Sequence, residues 1–481
     1  MRRGNAYLTV YLTLCLALIL SLYLTLIEGA RRNGAALEAA CAAETGMQNI
    51  MAEYHRELLN QYNIFAIDSS YGTELCGRKN TEAHLMEYLK KNLSMDDVFL
   101  SEYLYRDFFG LQAVDAELTG VSILTDEKGA VFRNMAIEAV RGDVGLELLD
   151  KVQEWTSVVE VNGLDETDYD GERQRLKQSL QGYRGQEMQI SETETVYLNA
   201  ENPAAQLDAR RSLGILRLVT GNEEGLSQKA IDSSILAGSR MKQGNVNSGN
   251  MAVEPADGLW EKFLFQEYLL RYLDCYVSEG AEGALDYQIE YLIAGKDYDT
   301  DNLKGVANRL CALREAANVI YLLSDGEKAA VITATALLIC GVFSVLPGLV
   351  TVVKALLLLG WAYAESVYDV KTLMSGGRVP LIKDRTSWHY DLDSALSGAD
   401  DAATGAGDGL DYRDYLRVFM MMTGLDTLTE RAMNLVEADI RLTPGNAHFR
   451  MDACYTQVEA SMRIESSFGY QFEILRERTY E

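Results

Sequence analysis

Glu290, Arg314, Glu315, Glu365 and Asp369 lie inside or beside apolar helical stretches of this 481-residue chain. Charges in such places either face water or must neutralise one another, because an unpaired buried charge is costly. We read the five as a partly buried ion network that fixes how helices dock, and assign no catalysis to it. The residue types that usually carry catalysis are not arranged for it. The four histidines, His55, His84, His389 and His448, stand far apart, and His55 reads as a surface position on a helix. There is no G-x-S-x-G elbow, P-loop, H-E-x-x-H or Rossmann fingerprint, so neither a catalytic residue nor a cofactor is expected. Asp297, Asp299 and Asp301 alternate like the start of a calcium loop. An EF-hand needs Gly at the sixth position and Glu at the twelfth, where this chain has Asn302 and Asn308. Helix capping at the start of a 302–323 helix is the better reading, and no metal ligand is assigned. The seven cysteines include no C-x-x-C and read as isolated thiols.

The elements that must position these residues begin with a membrane segment. From Ala6 to Ile27 there are 22 residues without a charge, Pro or Gly. As a helix they span about 33 Å, enough for a hydrocarbon core of roughly 30 Å. The run is longer than a secretory signal core and ends without a small-residue cleavage site, so it reads as a retained anchor. The chain carries 44 Lys+Arg against 71 Asp+Glu, a net charge of −27, yet residues 1–32 are net +3. A basic head on an acidic body places the N-terminus in the cytoplasm and the bulk outside the cell membrane. The acidic balance also excludes a general nucleic-acid binder. Hydrophobic residues make up 48%, too many for disorder and too few for a polytopic membrane protein.

The expected fold class is α+β. A basic leader (1–5) and the transmembrane helix (6–27) continue into a stalk helix (28–62), where Ala36, Ala39, Ala40 and Ala43 offer a low-bulk surface to neighbouring helices. Residues 63–160 read as an α+β part, with a helix over 81–92 and another that Asp126 caps and that runs toward Val159. Residues 161–255 are polar and read as mobile, exposed chain. A helical block (256–375) follows, containing an apolar helical hairpin (329–364) that turns at Leu346-Pro347-Gly348. The hairpin is read as buried in the domain or resting against the membrane, since Lys354 opposes insertion. A loop (376–410) and a helical segment (411–440) lead to the tail. There Phe449 to Tyr455, Val458 to Ile464 and Phe468 to Ile474 each alternate apolar and polar, which predicts a three-stranded meander over 441–481. Its sheet should join the strands of residues 63–125.

The opening MRRGNAYLTVYLTLCLALILSLYLTLIEGAR resembles the start of TadE/TadG-like pseudopilins of tight-adherence (Flp) pilus systems. Those proteins have a short basic leader ending in Gly, a hydrophobic helix and an extracytoplasmic region. The resemblance implies leader processing between Gly4 and Asn5, although the fifth position after that Gly is Thr9, where pilin leaders usually carry Glu. The stretches AEYHRELLNQYNIFAID, LDYQIEYLIAGKDYDTDNL, NRLCALREAANVIYLLSD and WAYAESVYDVKTLMSGGRVPLIKD are similar to an uncharacterised Gram-positive membrane-protein family. The function implied is a structural or assembly component of a Tad/Flp-like pilus or secretion apparatus, partnered by the bilayer and by other membrane proteins of that system. The alternatives are an extracytoplasmic sensor or adhesin and, more distantly, a cryptic hydrolase.

Overall fold

The apolar run and the alanine-rich run after it form one helix, α1 (Gly4–Met51), of 48 residues and about 70 Å. The computed structural model describes residues 4–94, 109–165, 168–192, 194–244, 247–278, 283–346, 348–403 and 407–480. Leader residues 1–3 and Pro347 of the expected turn lie outside the described residues. The chain divides into two units, one of residues 1–136, 236–255 and 439–481, the other of 137–235 and 256–438.

In the first unit α1 changes its environment along its length. Its large apolar side chains from Tyr7 to Ile27 are exposed, whereas Ala35, Ala39, Ala43, Met47 and Ile50 are fully buried. These five recur three or four residues apart and make one helical face. That face packs on β1 (Ile67–Asp68), α2 (Arg78–Leu93), β2 (Leu111–Ile123), β3 (Cys454–Ser466) and β4 (Gln471–Thr479). The small side chains let helix and sheet approach closely. A Cβ on Gly46 would meet Leu85 and Leu89 at 3.3 Å. Ala39 and Ala43 therefore serve the domain's own core, which corrects their reading as a surface for neighbouring helices.

The sheet is antiparallel and centred on β3. β2 pairs along it from Leu111 opposite Ser466 to Ile123 opposite Tyr455, while β1 and β4 pair with successive stretches of the same strand. N-terminal and C-terminal segments thus share one sheet. The tail, however, is a hairpin and not a three-stranded meander. Burial alternates without interruption over much of β3 and no turn residue divides it, so two expected strands are one, and Met451–Ala453 is a 3₁₀ turn. The stalk is also shorter than 28–62. α1 stops at Met51, and a separate helix Arg56–Tyr62 follows, ended by Asn63 in the left-handed region. Asp126 does not start a helix running to Val159. Glu127 to Gly129 are left-handed and the helix ends at Glu138, before a second one at Leu146–Val161.

The second unit is mostly helical. Its named parts are α3 (Tyr169–Gln181), α4 (Ala205–Arg211), α5 (Asp299–Ser324), α6 (Gly326–Cys340), α7 (Leu349–Met374) and α8 (Tyr412–Met422). The stretch read as mobile, 161–255, folds into α3, α4, a strand pair at Glu187–Ser191 and Glu194–Tyr197, and further short helices. Leu180 is buried, and Leu176, Met188 and Val196 pack against the core around α7, which anchors this polar stretch.

The apolar hairpin consists of α6, a 3₁₀ turn at Gly341–Val345 and α7. Among the described residues, three helical stretches are long and apolar enough to cross a membrane: Tyr7–Met51, Gly326–Val345 and Leu349–Met374. α7 is the core helix of its unit, with Leu356, Leu357, Leu359, Trp361 and Ala362 buried. α6 buries Ile332, Ala336 and Cys340 against it but leaves Leu338 82% exposed, and Val345 in the 3₁₀ turn is 74% exposed.

Candidate functional site

Four of the five charged residues singled out in the sequence sit in two buried ionic clusters of the second unit, and the fifth stands apart. Glu365 and Asp369 are four residues apart on α7, and Arg314 and Asn318 four apart on α5, so each pair shares a helix face. Arg314 donates from Nε to Asp369 Oδ2 at 3.0 Å and from Nη1 to the carbonyls of Pro380 and Leu381 and to the Tyr415 hydroxyl. Asn318 donates from Nδ2 to the same Asp369 oxygen at 3.1 Å. The second cation is Lys383, which the sequence reading did not include. Its Nζ lies 2.6 Å from Asp369 Oδ1 and also bonds Glu365 Oε1. Backbone N–H groups of His389 and Tyr390 complete the Glu365 carboxylate at 2.8 and 3.0 Å. Two cations meet two carboxylates, and the network is neutral.

Glu315 belongs to a separate cluster, where Arg173 and Arg211 bond its two carboxylate oxygens at 2.8 and 3.3 Å. Glu290 corrects the expectation of a single network, because among the described residues no cation pairs with it. It is fully buried, accepts from the Tyr276 backbone N–H at 2.9 Å and the Tyr412 hydroxyl at 2.8 Å, and leaves Oε2 without a partner among the described residues. Burial without a counter-charge disfavours the anion, which raises its pKa to about 7.

Asp369 and Lys383 of this network line a cleft of about 400 Å³, together with Arg378, Asp384, Thr386, His389 and Asp408. The His389 ring stacks on Tyr368 at 3.9 Å and bonds Asp401 at 2.8 Å. Trp361 and Trp388 both donate to the Tyr390 carbonyl, fixing the loop that carries Glu365's backbone donors. Lys328 lies 4.8 Å from each of these indole rings. With its ammonium held by two carboxylates, Lys383 is a structural cation. The cleft can recognise polar groups, and no nucleophile–base pair faces it among the described residues.

The other sequence candidates are scattered. His55 is not a simple surface residue. Its Nδ1 caps the helix Arg56–Tyr62 by accepting from Leu58 N–H at 3.2 Å, and Nε2 bonds Asn446 at 3.0 Å. His84 bonds Glu53, and His448 lies 4.0 Å from Glu74. Gly4 and Asn5 are in the first turn of α1. The Asp297–Asp301 stretch does not cap a helix at 302. The helix begins at Asp299, whose buried carboxylate accepts from Ser227 Oγ at 2.6 Å and from the Asp286 and Tyr287 backbone. Among the described residues no three His, Cys, Asp or Glu side chains converge to hold a metal ion.

The Glu290 geometry makes a pH prediction. The folded chain keeps the proton from about pH 4.5, the ordinary carboxyl value, up to about pH 7. The contribution of this group to stability is therefore greatest at low pH, falls as pH rises through that window, and is level above it. The span amounts to roughly 3 kcal/mol. Glu290→Gln should remove that part of the decline between about pH 4.5 and 7 in denaturant titrations. An unchanged decline in the variant would refute the assignment.

The architecture is that of an α+β protein with a candidate membrane anchor built into its N-terminal unit and a buried ionic core in its helical unit. A model of a family of unknown function, DUF5702, matches residues 194–466, and the chain belongs to that family. The match includes Glu365, Asp369, Lys383 and the whole of β3. No curated protein and no solved structure matches the chain.

Proposed function

We propose that this protein is a membrane-anchored, extracytoplasmic structural or assembly component of a Tad/Flp-like pilus or secretion apparatus. The observation that carries the reading is α1, an unbroken helix whose exposed apolar half is the anchor and whose second half is core of the first unit. A flexible tether would suit a binding module, whereas a shared helix couples the position of the membrane segment to the folded domain. At the boundary, Arg31 lies over the Phe468 ring at 4.4 Å and Tyr470 bonds Glu28, so the β3–β4 turn sits at the foot of the anchor with aromatic residues suited to a membrane interface. The resemblance of the opening residues to pseudopilins supplies the system. The second reading, an extracytoplasmic sensor or adhesin, is favoured by the cleft over Lys383.

The two readings separate in one experiment. In intact cells an impermeant thiol reagent should modify Cys41, which is exposed on α1 beyond the anchor. The full chain, cross-linked and purified from membranes, should then bring down a secretion ATPase platform or pilus subunits. Labelling that requires lysis refutes the orientation. Correct labelling without such partners favours the sensor or adhesin.

A further inference from the structure

We propose that the recess between α3 and α4 is a carboxylate-binding site, closed in the free protein by the side chain of Asp170. Its floor is the ring of Tyr363, over which the guanidinium groups of Arg173 and Arg211 lie at 5.3 and 4.3 Å. Behind them is Glu315, 1% exposed, with Oε1 2.8 Å from Arg173 Nη2 and Oε2 3.3 Å from Arg211 Nη1. In front is Asp170, 63% exposed, whose Oδ1 is 2.6 Å from Arg211 Nη2 and 3.6 Å from Arg173 Nη2. The two arginines and two carboxylates form a ring with one buried and one open corner. The recess beside it holds about 240 Å³ and is also lined by Gln174, Lys177, Asp208 and Ser212.

The arginine pair has the properties of a preorganised fork. Arg173 is itself only 4% exposed, and its Nε has no partner among the described residues. Both guanidinium planes are fixed by the aromatic ring beneath and the buried carboxylate behind, so little side-chain freedom is lost on binding. Planar donor pairs of this kind match a carboxylate. The charge count selects the ligand further. Arg173, Arg211 and Lys177 face Glu315, Asp170 and Asp208, so the recess is neutral with Asp170 in place. Swinging Asp170 outward leaves one positive charge uncompensated, which one carboxylate restores and a phosphate dianion overshoots. Asp170 is in the first turn of α3 and buries little, so its side chain can leave without unfolding the helix.

The full chain in detergent, titrated calorimetrically with acetate and with a capped Gly-Glu-Gly peptide, tests this. Removing a tethered competitor removes its high effective concentration. Asp170→Ala should therefore bind the carboxylate probes about tenfold more tightly than the unsubstituted chain, and adding Arg211→Ala should abolish the gain. A preference for the peptide would identify an acidic polypeptide as the source, and equal binding a small organic acid. Both support the site. If Asp170→Ala binds neither probe while its thermal transition stays sharp, the ring is purely structural and the proposal fails. Preferential binding of inorganic phosphate would overturn the carboxylate assignment.

Discussion

Lys383→Met should destabilise the second unit by about 3–5 kcal/mol, because it leaves Glu365 and Asp369 buried with one fewer cation than they need. Both carboxylates are almost completely buried and Lys383 itself is 5% exposed, so water cannot take over its role. The measurement is the denaturant midpoint of the unit's unfolding transition. Combining Lys383→Met with Glu365→Gln should recover part of the loss, since the remaining charges, Arg314 and Asp369, then balance. A loss below about 1 kcal/mol, the range of exposed ion pairs, would mean that the network contributes no more than a surface contact.

Ala43→Phe should destabilise the first unit by about 3 kcal/mol, from overpacking a helix already in contact with the sheet. Ala43 is fully buried among Leu85, Leu89, Val458 and Ala460, whereas Ala36 is half-buried and should accept the same change at much lower cost. Membrane extraction should be unaffected in both, because the candidate anchor lies elsewhere on the helix. Limited proteolysis of the membrane-bound chain distinguishes the cases. A resistant first unit in Ala43→Phe, with partners lost from the membrane complex, would restore the reading of this face as a contact between molecules.

The ionic core was partly legible in the sequence. Glu365 and Asp369, four apart inside an apolar run, must share a face, and Arg314 in another apolar helix is an obvious counter-charge. Lys383 was not legible, because it lies in the loop after α7 and reaches the network through a tertiary path. Glu290 has the same apolar neighbours as Glu365. That it lacks a cation is a fact about what is near in space. The tail shows a similar limit. Alternation from Tyr455 to Ile464 shows a strand, but the number of strands depends on where turns fall, and the break is at Ser467–Tyr470 beside Gly469. The alanines of α1 predicted close packing, which the structure has, while composition is silent about whether a helix or a sheet lies opposite.

The pairing scheme of the sheet sets the timing of assembly. β1 and β2 have no pairing with each other; both pair with β3, which lies more than 300 residues later in the chain. At roughly 5–20 residues per second of synthesis, α1 and the first strands precede β3 by tens of seconds. During that interval the buried face of α1 and both edges of β2 are bare, the condition that invites aggregation between chains. Residues 137–235 and 256–438 have a core of their own that does not wait for β3. The first unit therefore closes last although it is begun first, and a chain stalled before residue 454 would have its helical unit formed and its sheet open.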